Sequence, residues 1–182
     1  MKIGTHFLSS KKQAGLTLIE LIASLSILAL VIGGALSLYN SASSSQSVTQ
    51  TTAEMSALRA ATKSLYQGQG TYGAAGANLN AVLVNGNKIP STITITAGVP
   101  PVLTNSFTGD IKVLASAVVA NFTVTVTAVP TEVCLGLLAS SNGWNSIKVA
   151  ALAANVVFPI SPATASTQCA TAANQTIVFQ SN

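Results

Sequence analysis

The chain has 182 residues, of which 49% are hydrophobic, 5% aromatic and 7% charged, with a net charge of +4; this is the length of one ordinary domain, and soluble domains average about 25% charged residues. Lys2, Lys11 and Lys12 all precede Gly15, so residues 16–182 hold five basic residues (Arg59, Lys63, Lys88, Lys112, Lys148) against four acids (Glu20, Glu54, Asp110, Glu132), a net charge of +1. That leaves no Lys/Arg cluster for a nucleic-acid surface, and the one histidine, His6, also precedes Gly15, so residues 16–182 lack the commonest general base and metal ligand.

Residues 1–15 read as a short, polar, basic leader. Residues 16–38, LTLIELIASLSILALVIGGALSL, are apolar apart from Thr17, Glu20 and a few serines. As a helix, this run spans roughly 35 Å, enough to cross a bilayer core of about 30 Å. The basic flank is expected to stay cytoplasmic and the C-terminal part outside. Gly33 and Gly34 lie within the run; glycine weakens a helix by up to about 1 kcal/mol relative to Ala, so they mark where it could bend or melt.

The helix is predicted to continue to residue 66. Val48, Met55 and Thr62 recur every seven residues, as do Thr51, Leu58 and Leu65. They form a stripe suited to packing on a globular head (residues 67–182) or on neighbouring helices. Residues 68–78, GQGTYGAAGAN, then read as a loop. They include a GxGxxG match, Gly68 to Gly73, but dinucleotide binding needs a preceding strand and a following helix, and here a helix precedes and a loop follows. A short helix is expected over Asn78–Val84, ending near Gly86.

Strand signals follow. Ile93 and Ile95 alternate with threonines over 92–96, and residues 110–119 are rich in β-branched side chains. Phe122, Val124 and Val126 alternate with Thr123, Thr125 and Thr127. Pro130-Thr131-Glu132 predicts a helix start, with Thr131 as cap and Glu132 near the positive end of the dipole, and a helix through Cys134, Leu137 and Leu138. Residues 146–150 and 176–180 are the last strand candidates. Trp144 reads as a packed residue, and Tyr66 and Tyr72 as surface contacts near the loop.

Cys134 and Cys169 are the only cysteines. With an export segment upstream, a disulfide is the natural reading; catalysis would need a base and zinc about four ligands, and neither set is available. Asp110 and Glu132 are the only acids beyond the first helix, too few for an enzyme that needs a nucleophile and base or paired carboxylates. No enzyme activity, cofactor or metal is expected.

The telling residue is Glu20. An apolar run normally excludes carboxylates, and an intramembrane charge needs a partner. A cut after Gly15 would create an α-amine at Leu16, available to the carboxylate within one chain or between staggered chains. Such a pair sets register more than it adds stability, because a buried charge left alone is strongly disfavoured.

Lys11-Lys12-Gln13-Ala14-Gly15 followed by Leu16-Thr17-Leu18-Ile19-Glu20-Leu21 resembles the class III signal of type IV prepilins. The resemblance is specific over residues 11–40 and weaker beyond. It implies an α+β type IV pilin fold: a long N-terminal helix (16–66) packed on a C-terminal antiparallel β-sheet, with Cys134 and Cys169 closing a D-region. It further implies cleavage between Gly15 and Leu16 by prepilin peptidase, N-methylation of Leu16 and an assembly role for Glu20. The expected partners are the membrane before assembly, the assembly platform of the bacterial inner membrane, and other copies of the chain in an extracellular helical homopolymer. Leu16, where the type IVa group usually has Phe, and the longer leader point to a type IVb-like major pilin. The helix lacks the proline many pilins carry, and Gly33 and Gly34 are expected to take over its bending role. A pseudopilin of type II secretion and a minor pilin are the alternatives.

Overall fold

The computed structural model describes residues 17–182 except 119, 141, 150–155, 157, 171 and 173. The chain divides into two compact units, at Ser41/Ala42. Helix α1 runs from Leu18 to Leu65. It starts two residues later than expected because Thr17 terminates it: its Oγ1 accepts a hydrogen bond from the Glu20 amide at 3.3 Å, and its carbonyl accepts from Glu20 and Leu21. Thr17 and Glu20 stand in the threonine-x-x-glutamate spacing of a helix start, with the acid on the first turn, where the dipole favours it.

In the second unit, Thr51, Glu54, Met55, Leu58, Ala61 and Thr62 are the buried residues of α1. This is the predicted stripe, with Val48 and Leu65 half-buried at its flanks. It covers a six-stranded antiparallel sheet, in the order β1-β2-β3-β4-β6-β5. The strands are β1 (Thr94–Thr96), β2 (Val102–Thr104), β3 (Asp110–Ala115), β4 (Phe122–Pro130), β5 (Ser146–Val149) and β6 (Asn174–Ser181); the helices after α1 are α2 (Asn80–Asn85), α3 (Thr131–Ser140) and α4 (Pro162–Cys169).

The central strands behave as their alternation predicts. Phe122, Val124 and Val126 of β4 and Ile177 and Phe179 of β6 are fully buried, and the two strands pair Val124 with Phe179 and Val126 with Ile177. The pairing then shifts between Val126 and Val129. Ala128 adopts φ 58°, a left-handed backbone that marks a bulge. The extra residue moves the inward position from even to odd numbers, so Val129 rather than Ala128 is buried. Other elements depart from expectation at their ends. β3 stops at Ala115, because the Ser116 amide turns to the Asn121 carbonyl and closes the hairpin to β4. β1 begins only at Thr94: Ile93 is buried in the preceding turn, while Ile95 faces solvent on the sheet's outer strand. Tyr66 and Tyr72 are not free surface contacts. They stack on one another (centroids 5.3 Å apart), and Tyr72 stacks on buried Phe122 at 4.8 Å.

β2 covers only the first residues of β3, and the loop after α1 completes that edge. Leu79 donates to the Val113 carbonyl and Ala115 to that of Ala77. Between these ladder bonds the side chain of buried Asn80 acts as a substitute peptide. Its Oδ1 accepts from the Val113 amide at 3.0 Å, and its Nδ2 donates to the carbonyls of Ile111 (3.1 Å) and Pro101 (3.3 Å). The rest of β3's polar backbone is thus satisfied without another strand.

Candidate assembly site

Gly15 and Leu16, the expected cleavage junction, lie outside the described residues. Glu20 is described, and it is exposed one turn into α1, beside the Thr17 cap. Among the described residues no cation lies within ion-pair distance of its carboxylate. Around it, Leu18 (76% exposed), Ile19, Leu21, Ile22 and Leu25 present their side chains outward, and the exposure continues to Leu38 (75%) and Tyr39. A helix this apolar and this open needs an apolar surrounding, and α1 is long and apolar enough to cross a membrane. Two serines of the run turn their polarity inward. Ser24 donates to the Glu20 carbonyl at 2.7 Å and Ser26 to that of Ile22 at 2.8 Å, so each hydroxyl is returned to its own helix. The Glu20 carboxylate is the charged group of the run, and it still calls for an external partner.

Gly33 and Gly34 lie within α1 with helix on both sides. A Cβ at either would meet no atom within 4 Å. Nothing inside the subunit therefore demands glycine at these positions, and the chain carries the cost in helix propensity without any packing gain of its own.

The cysteines are brought together. Cys134 on α3 and Cys169 at the end of α4 form a disulfide with Cα atoms 5.9 Å apart, and both are fully buried. The bond staples α4 onto α3, and the Gln175 amide extends the staple to the last strand by donating to the carbonyls of Cys169 (2.9 Å) and Ala172 (2.7 Å). α3 in turn sits close on α1: a Cβ at Gly136 would collide with the methyls of Val48. Helix α3 starts at Thr131 itself rather than after it as a cap, and the Thr131 hydroxyl donates to the Ala172 carbonyl at 3.2 Å.

Trp144 is packed, as expected: it is 6% exposed, with its ring 5.1 Å from that of Phe179. Arg59 lies 5.4 Å over the same indole and donates from Nε to Ser181 Oγ at 2.9 Å. Its guanidinium needs Gly143 beside it, since a Cβ there would lie 2.5 Å from Nη1 and Gly143 has φ 86°.

Sequence reasoning missed three features. The Thr17 cap was visible in its spacing to Glu20. α4 carried a signal in Ser161-Pro162, where the serine hydroxyl accepts from the Thr164 amide and proline opens the helix. The burial of Glu54 (3% exposed) had none. Gln50 Nε2 donates to its Oε1 at 2.9 Å, while Oε2 is buried with no hydrogen-bond partner among the described residues.

The family described as PilS N terminal matches residues 44–182, and the prokaryotic N-terminal methylation motif matches residues 10–36. No curated protein sequence matches the chain. Among solved structures the fold is similar to the crystal structure of TcpA, a type IV pilin from Vibrio cholerae El Tor biotype. The TM-score is 0.54 and the identity 18%, over 75% of this chain and 99% of that one.

Proposed function

This chain belongs to the PilS N terminal family and is a type IV pilin, and on that premise we propose that it is made as an inner-membrane precursor, cut between Gly15 and Leu16 by prepilin peptidase, N-methylated at Leu16 and polymerised into an extracellular pilus. Family and fold are those of a structural subunit, not of an enzyme family. One observation carries the reading. The methylation motif spans residues 10–36, and that stretch brackets both the Gly15–Leu16 bond and an exposed carboxylate, Glu20, in an apolar helix without a partner of its own. A new α-amine on a neighbouring subunit is the group such a carboxylate would pair with in an apolar filament core. In the filament the α1 helices pack together, and Gly33 and Gly34 are where α1 yields on assembly. Leu16 and the length of the leader favour a type IVb-like major pilin, serving adhesion, aggregation, motility, DNA transfer in mating or phage attachment.

Processing and assembly are tested separately. N-terminal sequencing of protein sheared from cells is expected to begin at Leu16, with a methylated amine. Glu20→Ala is expected to be cleaved normally and to give few or no filaments. An N-terminus elsewhere overturns the cleavage site, and normal filaments from the variant overturn the role of Glu20.

A further inference from the structure

The ionic side chains of the second unit, Ala42–Asn182, do not balance within it. Glu54 is buried and bonded to Gln50. Asp110 pairs with Lys112 at 3.8 Å. Arg59 is spent on Trp144 and Ser181. That leaves one exposed side-chain carboxylate without a cation among the described residues, Glu132, and three lysines without an anion, Lys63, Lys88 and Lys148.

Their placement is polar. Glu132 lies in the first turn of α3 and accepts a hydrogen bond from Ser44 Oγ at 2.6 Å, which ties it to the start of the α1 segment in this unit. It lines a groove of about 310 Å3 with Ser43, Ser47, Ser106 and Phe107. The groove contains no basic group: it offers a carboxylate, serine hydroxyls and an aromatic ring. These suit a primary ammonium, which brings three donors and is drawn to ring faces. Lys63 lies 19 residues beyond Ser44, about 29 Å along the helix. Lys88 lies at that same far end, since it follows α2, whose C-terminal Gly86 packs on Leu65: a Cβ there would sit 3.3 Å from Leu65 Cδ2. One end of the unit carries an acidic groove and the other two unpaired lysines. Complementary patches at opposite ends make a head-to-tail contact between identical chains, the kind that propagates into a helical filament.

We propose that the Glu132 groove receives the ammonium of Lys63 or Lys88 from a second copy of this chain, setting the axial register of the heads; this rests on the reading of the chain as a filament subunit. The lysine enters with its aliphatic stem over Phe107. The contact selects register more than it adds affinity, because exposed ion pairs are individually weak while like charges brought face to face exclude the wrong alignment.

Zero-length carbodiimide cross-linking of wild-type filaments, followed by peptide mass spectrometry, tests the contact directly. The expected product joins Glu132 to Lys63 or Lys88. Within one chain these ends are too far apart for a zero-length link, so it would have to join two copies. Glu132 joined only to Lys148, to another protein, or to nothing overturns the proposal. A charge swap gives the second test. Glu132→Lys is expected to lower the yield of sheared filaments at least tenfold, with the membrane pool of disulfide-bonded subunit unchanged. Adding Lys63→Glu or Lys88→Glu in the same chain is expected to restore it. Wild-type yield from Glu132→Lys overturns the register role alone, whereas a wild-type chain that forms no filament overturns the filament reading with it.

Discussion

Removing the staple between α3 and α4 gives the most direct measure of what holds the head together. In Cys134→Ala/Cys169→Ala the fully buried bond is lost across a sequence separation of 35 residues. Closing a loop of that length restricts the unfolded chain by about 4 kcal/mol in the chain-entropy model. The segment released contains β5 and α4, so nothing covalent except the chain itself then holds α4 on α3. Trp144 is the only tryptophan in the chain and lies between Arg59 and Phe179, so its fluorescence reports unfolding of this unit. With the full chain in detergent micelles and urea as denaturant, a loss of about 4 kcal/mol moves the midpoint by roughly 2 M for a slope of about 2 kcal/mol per molar. Wild-type protein kept in a thiol reductant through repeated unfolding is expected to converge on the same midpoint. A shift corresponding to less than about 1 kcal/mol would refute the reasoning, because it would mean that the unfolded chain gains little freedom when the loop is opened.

Three further outcomes follow from single contacts. Gly136→Ala is expected to destabilise by about 1–3 kcal/mol through overpacking against Val48, although alanine is the better helix former by about 1 kcal/mol; a stabilised variant in the same urea assay would show that α3 and α1 can separate freely. Asn80→Ala removes three hydrogen bonds and strands the Val113 amide and Ile111 carbonyl, with an expected loss of about 2–4 kcal/mol and faster amide exchange at Val113, whereas unchanged exchange would deny Asn80 its place in the ladder. Glu54→Gln keeps the shape and the bond from Gln50 but removes a buried charge with one unpartnered oxygen; it is expected to raise stability by about 1–2 kcal/mol, and a lower urea midpoint would reveal a partner for the carboxylate.

The elements most legible in the sequence are those whose signal is local. α1 shows itself in an unbroken apolar run followed by a seven-residue stripe, and β4 and β6 in strict alternation, because each buries one face on its own periodicity. β2 has three residues behind Pro100-Pro101, too few for a period, and its existence depends on pairing with β3. The bulge at Ala128 breaks the alternation with an ordinary residue, so nothing in the sequence announces the change of parity. The methylation motif over residues 10–36 was also legible, because it is a linear motif that needs no folded partner to be read. The roles of Asn80 and Glu132 were not. Asn80 matters because β2 begins too late to cover Val113, and Glu132 because a serine 88 positions away reaches it; both are properties of the folded arrangement.

The cap at Thr17 bears on the proposed maturation. It draws its acceptors from Thr17 itself and its donors from Glu20 and Leu21, so among the described residues the first turn of α1 is closed by its own groups. The proposed cut between Gly15 and Leu16 would break none of these three bonds, all of which lie at or beyond Thr17. What changes is electrostatic: a lysine-bearing tail gives way to a single positive charge within reach of the dipole's own positive end. That charge is unwelcome where it is created and welcome beside a carboxylate on another chain. Processing would then act as a one-way commitment, trading a soluble basic anchor for a terminus whose comfortable position is inside an assembly.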